Sequence, residues 1–115
     1  MADALITVIE TASFLADSKH IFSPEERAAV VDLIAADPKC GVAIRGTGGC
    51  RKVRVPLGGG GKSGGARVVY FFSGTNLPVF LLAVFAKNDK DNISQAEANT
   101  LRLLTNSLKR HYEKE

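Results

Sequence analysis

Lys52 and Arg54 stand two residues apart in the segment Arg51–Leu57, with Val53, Val55 and Leu57 on the alternate positions. In a strand, both cations project from one side and the aliphatic groups from the other. Arg67 lies at the start of a second apolar run, and Lys87 follows a third. On three neighbouring strands these four positions can converge on one patch. Gathered guanidinium and ammonium groups suit phosphate, by charge and by forked hydrogen bonding. On spacing alone the patch fits two roles equally: chemistry on a phosphodiester, or attachment to a nucleic acid without chemistry.

The charge distribution points the same way. The chain has 115 residues and a net charge of +3, yet the 51 positions from Pro38 to Asn88 hold no Asp or Glu. That stretch carries Lys39, Arg45, Arg51, Lys52, Arg54, Lys62, Arg67 and Lys87, a charge of +8, and the remainder carries −5. Such asymmetry is the electrostatic footprint of a polyanion site. A solvated basic loop is the plain alternative, but two segments inside the stretch read as strands.

Other chemistries fit less well. Pro56-Leu57-Gly58-Gly59-Gly60-Gly61-Lys62-Ser63 resembles the end of a phosphate-binding P-loop. Pro56 falls where that pattern needs its first glycine, and the segment after Ser63 reads as a strand instead of the required helix. It is better read as a hairpin loop with Lys62 at its tip, able to touch a nucleic-acid backbone. His20 and His111 lie on separate predicted helices, and Cys40 and Cys50 are ten residues apart, so no spacing suits zinc. Nothing points to a Ser–His–Asp arrangement. Two cysteines cannot build a disulfide framework. Cys50 beside Arg51 could carry a lowered thiol pKa, but a buried, inert cysteine is the better reading.

The positioning elements are legible in outline. Leu5–Ile9 is a β-branched candidate strand, and Thr11–Phe22 a candidate helix. Ser23-Pro24-Glu25-Glu26 is a capping box with proline at the first helical position, opening a helix that stops before Asp37-Pro38. Gly41, Gly46, Gly48 and Gly49 are turn material. Strands are expected at Arg51–Leu57, Ala66–Phe72 and Val79–Phe85, joined by the Gly58–Gly65 connector and a turn at Ser73–Asn76. The short connections predict an antiparallel meander. Ser94-Gln95-Ala96-Glu97 opens a last helix with Leu101, Leu104 and Leu108 on one stripe, ending in a basic turn at Lys109 and Arg110. The order implies an α+β domain spanning residues 1–115. The first strand joins one sheet edge, a helical hairpin covers one face, and the other face, left partly open, carries Lys52 and Arg54. No apolar run approaches the roughly 18 residues of a membrane helix. The acidic N-terminus lacks the pattern of a secretory signal, so a cytoplasmic location is expected.

Arg45-Gly46-Thr47-Gly48-Gly49-Cys50-Arg51-Lys52-Val53-Arg54-Val55, followed by Lys62-Ser63-Gly64-Gly65-Ala66-Arg67-Val68-Val69-Tyr70, resembles toxins of the RelE superfamily, and within it the HigB-type branch. Phe85-Ala86-Lys87-Asn88 and the capped helix after it continue the likeness, which spans roughly residues 24 to 108. The resemblance implies a RelE/ParE-like fold and the toxin of a type II toxin–antitoxin pair. Such toxins enter the ribosomal A site and cut translated mRNA there. A helix-turn-helix, HigA-like antitoxin neutralises them and represses the operon, so DNA is met only through that partner.

By the same resemblance Lys52, Arg54 and Arg67 occupy the family's central basic positions, with Lys87 beside them, and no cofactor is implied. RNA can be cut without a metal when its 2′-hydroxyl attacks the adjacent phosphorus in line. Arg67 cannot lose its proton and fits phosphate clamping, with Arg54 second in that role. Crowding by like charges makes Lys52 or Lys87 a usable base. Arg45, Arg51, Lys62 and Tyr70 are candidates for RNA or ribosome contact, Tyr70 by stacking if it faces outward. Some relatives place a further arginine after the last strand and a tyrosine or histidine nearby; here Asn88 follows Lys87, and the next tyrosine is Tyr112. Two other functions share these features: a toxin of the same fold that inhibits DNA gyrase, and a plain RNA-binding module.

Overall fold

The computed structural model describes residues 6–58, 64–87 and 92–113. Their order is β1 (Val8–Glu10), α1 (Ala12–Ser18), α2 (Pro24–Ala36), β2 (Val42–Ala43), β3 (Cys50–Val55), β4 (Ala66–Phe71), β5 (Val79–Ala86) and α3 (Gln95–Glu113). The strands form one sheet in the order β1-β5-β4-β3-β2. β3, β4 and β5 are the expected antiparallel meander. β1 joins the free edge of β5 in parallel.

Each face of the sheet has its own apolar layer. On one face Val55, Val68, Tyr70, Leu81 and Val84 pack with Phe14 of α1 and Val30 and Ile34 of α2. On the other, Cys50, Val69, Phe71, Phe80, Leu82 and Phe85 meet Ile93, Leu101 and Leu108. β5 is therefore apolar almost throughout because it is buried on both sides. α3 is fixed across the second face by Thr105, whose Oγ1 donates to the Thr47 carbonyl at 2.8 Å. Gly48 admits this approach: it holds φ +77°, and a Cβ there would collide with Thr105 Oγ1.

Local chemistry explains where elements begin and stop. Ser23 and Glu26 close the reciprocal cap of α2, at 3.0 and 2.8 Å. The expected first helix ends at Ser18, short of Phe22. Ser18 Oγ donates to the Phe14 carbonyl, and Ile21 and Phe22 N–H turn back to the Ser18 carbonyl, which delivers Phe22 into the core. β3 runs from Cys50 to Val55, so Pro56 and Leu57 lie beyond it. α3 continues past Lys109 and Arg110 to Glu113, and Leu104 is largely exposed instead of packed.

The glycine-rich segment before β3 contains a strand that its composition conceals. Val42 and Ala43 pair with Lys52 and Arg51. Two side chains from neighbouring strands hold this edge in place. Tyr70 Oη accepts from Gly41 N–H at 2.9 Å and donates to the Pro38 carbonyl at 2.7 Å, and Arg51 Nη1 donates to the Gly41 carbonyl at 2.6 Å.

Tyr70→Phe leaves a buried Gly41 N–H without its acceptor, so a loss of about 1–3 kcal/mol is expected in urea unfolding; an unchanged midpoint would show that the edge does not depend on this hydroxyl. Burial also pushes the Cys50 thiol up to about 11 from 9.0. Above pH 9 the unfolded chain sheds this proton while the folded chain keeps it, so folding stability declines as pH rises toward 11. Urea midpoints at about pH 8 and about pH 10.5 measure that decline, and Cys50→Ala should reduce it.

Candidate active site

The β3–β4 ladder sets the register of the cations. Arg54 stands directly opposite Arg67, and Lys52 opposite Val69. All four side chains share the face that carries Cys50 and Phe71, because side chains alternate along both strands. Like charges placed directly across a ladder repel. Arg54 is exposed, while Lys52 and Arg67 are half-buried.

Lys87 reaches the same face through an irregularity in β5. Val69 pairs with Ala83 but Tyr70 pairs with Leu81, so Leu82 is an extra residue, a β-bulge. Without it, strict alternation from Val79 would send positions 85 and 87 toward α1 and α2. With it, Phe85 packs on the α3 side. Lys87 N–H continues the ladder by donating to the Gly65 carbonyl at 3.1 Å. Its Cγ lies 2.8 Å from where a Cβ on Gly64 would sit, and Arg67 Nη1 donates to the Gly64 carbonyl at 2.8 Å. Arg67 and Lys87 therefore meet at Gly64. The adjoining Gly65 has φ +67°, and a Cβ there would run into the Val55 carbonyl oxygen. A shallow cleft of about 370 Å³ lies here, lined by Arg54, Pro56, Leu57, Gly64 and Gly65.

Two residues that sequence reasoning did not single out brace this end of the sheet. Lys52 Nζ donates to Asn92 Oδ1 at 2.7 Å, across 40 positions of chain, a separation that leaves no signal in spacing. Glu26, legible only as half of a capping box, also accepts the Gly58 N–H at 2.7 Å. These two backbone donors hold its carboxyl below the usual carboxylate range. Glu26 thus ties the start of the Gly58–Gly65 connector to α2.

The other candidate contact residues are dispersed. Arg45 is exposed in the turn between β2 and β3. Lys62 lies outside the described residues. Tyr70 requires correction as an RNA contact: it is fully buried and its hydroxyl is engaged with the backbone of the segment 38–41. Arg51 is half-buried, and its Nη1 donates to the Gly41 carbonyl. Tyr70 has no open ring face on which a base could stack. Cys50 is buried with a raised thiol pKa, the inert reading of that residue.

A larger groove, about 810 Å³, runs between α1, β5 and α3 past Leu82, Ala83, Phe85, Ala96, Leu101 and Leu104. The ionisable groups along it are Asp17 and Glu97, so it repels a phosphate. The cationic face, although its cleft is smaller, is the surface matched to a polyanion.

The family model for the RelE toxin of the RelE/RelB toxin–antitoxin system matches residues 39–115. The chain belongs to the RelE toxin family. It is accordingly the toxin of a toxin–antitoxin system, and an antitoxin is its partner. Its fold is similar to that of a double mutant of E. coli toxin RelE in the free state, with a TM-score of 0.57 and 16% sequence identity over 88% of this chain and 97% of that one. Among the described residues of this RelE-family chain, no helix is long and apolar enough to cross a membrane.

Because Arg54 faces Arg67, Arg54→Gln should raise stability at low salt by up to about 1 kcal/mol. The gain should vanish near 1 M salt, where screening acts within about 3 Å. Thermal melts at both ionic strengths check this; a loss of stability at low salt would contradict the repulsive geometry.

Proposed function

We propose that this chain is a HigB-type toxin, a single catalytic domain acting in the cytoplasm as a ribosome-dependent endonuclease on translated mRNA. The observation that carries the reading is the Arg54–Arg67 pair two register positions from Lys52 on one face, with Lys87 at Gly64 beside it. A cross-strand cation pair is unfavourable in the free protein and becomes favourable when a phosphodiester lies between its members.

In this mechanism the 2′-oxygen bonds to the adjacent phosphorus as the bond from phosphorus to the 5′-oxygen breaks. The products are a 2′,3′-cyclic phosphate and a 5′-hydroxyl end. Arg67 and Arg54 clamp the phosphate and offset charge on the phosphorane oxygens. Lys52 or Lys87 takes the 2′-hydroxyl proton, and the departing 5′-oxygen gains one. Among the described residues the cleft beside Arg54 and Gly64 is small and open, and the in-line geometry comes from outside the chain. The ribosomal A site supplies it by holding the mRNA extended. Arg45 and Lys62 add contacts to RNA or ribosome, and a HigA-like helix-turn-helix antitoxin is the neutralising partner.

Brief induction followed by mapping of mRNA 5′ ends tests this proposal. Cuts in phase with codons on translated messages are expected, and Arg67→Ala should abolish them and restore growth with the protein still soluble. Intact mRNA accompanied by DNA damage would overturn the reading in favour of a gyrase poison. Salt-sensitive RNA binding without cleavage or toxicity would reduce the chain to a binding module.

A further inference from the structure

The Asn92 side chain is fixed from two directions. Its Oδ1 accepts Lys52 Nζ at 2.7 Å and the Ile93 N–H at 3.1 Å. Both partners are donors, which settles the orientation of the amide. The backbone just beyond is held by the α3 cap, in which Ser94 N–H donates to Glu97 Oε1 and Glu97 N–H to Ser94 Oγ. A flexible ammonium on β3 is thus anchored to an acceptor that is itself anchored at the entry of α3.

We infer that Asn92 is the positioning residue for Lys52, holding its amine on the cationic face in both protonation states. The inference rests on the proposed reading of Lys52 as part of the RNA-cleaving group. A lysine has four side-chain torsions, so an untethered Lys52 would withdraw from Arg54 and Arg67 into solvent. The chemical nature of the tether matters as much as its position. An amide oxygen accepts a hydrogen bond from –NH3+ and from –NH2 alike. A carboxylate in its place would favour the charged amine and oppose its use as a base. Among the described residues, the charged groups on this face and at the entry of α3 are Arg54 on the same strand, Arg67 on β4, Lys87 beyond β5 and Glu97 in the first turn of α3. The Glu97 carboxylate accepts from Ser94 N–H. A neutral acceptor therefore orients Lys52 without adding a negative charge.

The test is an NMR titration of the Lys52 side-chain amine in the full-length chain without RNA. Asn92→Asp should move the titration midpoint of Lys52 upward. Asn92→Ala should increase the mobility of the amine without that rise. A Lys52 titration and mobility unmoved by either substitution, with both variants folded, would overturn the inference. On programmed ribosomes Asn92→Ala should lower kcat at least about tenfold with KM nearly unchanged, and Asn92→Asp should shift the pH profile toward alkali. A merely structural role would change neither the titration nor the profile. If the titration shifts as expected but the unaltered protein cuts no RNA, the tether stands and the cleavage proposal falls.

Discussion

Arg54 and Arg67 stand opposite each other across the β3–β4 ladder, and the rest of the molecule is arranged so that their backbones cannot separate. Neither strand can slip, because a one-residue shift would turn Val55 and Val68 out of one core and the arginines into it. Neither strand can peel away, since β4 lies between β3 and β5 and is buried at every position but Arg67. Gly65 sharpens the constraint: its backbone passes against the Val55 carbonyl too closely for any side chain, which brings the start of β4 tight to the end of β3. Stability contributed by burial elsewhere holds a charge pair that water alone would disperse. Surfaces that oppose folding in this way are expected where a ligand of opposite charge completes them.

A second constraint is one of parity. Lys87 can join this face only because Leu82 is an extra residue in β5. The bulge satisfies two demands at once. Leu81 and Val84 must fill the layer against α1, while Leu82 and Phe85 fill the layer against α3. A regular strand cannot place those residues so. The altered alternation then carries through to Lys87. The position of one cation on the working face is thus a consequence of how two hydrophobic layers share one strand.

How much of this was legible in the sequence follows from the range of each interaction. Ser23 and Glu26 are three positions apart, and their cap could be read directly. Val53 and Val55 alternating with Lys52 and Arg54 gave the strand, its faces and the pairing of cations. The meander followed from short connections. The misses are long-range. Val42 and Ala43 are a strand because Tyr70 and Arg51 hold the Gly41 backbone, and nothing within the glycine-rich segment encodes that. The same contacts bury Tyr70 and engage one nitrogen of Arg51. Their basic and aromatic character fitted the surface role equally well until the face was known. The Leu82 bulge was illegible because an uninterrupted apolar run carries no alternation to break.

The molecule ends up with two surfaces of opposite character on the same side of the sheet. One is small and cationic, around Arg54, Arg67 and Gly64; the other is larger and apolar, rimmed by Asp17 and Glu97. A single ligand cannot satisfy both, since a phosphate that suits the first is repelled along the second. α3 bounds the apolar groove, and the segment leading into it reaches the cations through Asn92 and Lys52. Its middle is tied to the turn ahead of β3 through Thr105 and Thr47. A displacement of this helix would therefore be felt at Lys52 before Arg54 or Arg67, whose backbones are set by strand register and of which Arg67 is held by the Gly64 carbonyl. In physical terms the cationic face has a rigid part, set by strand register, and one adjustable member, set by a single hydrogen bond to the segment leading into a helix.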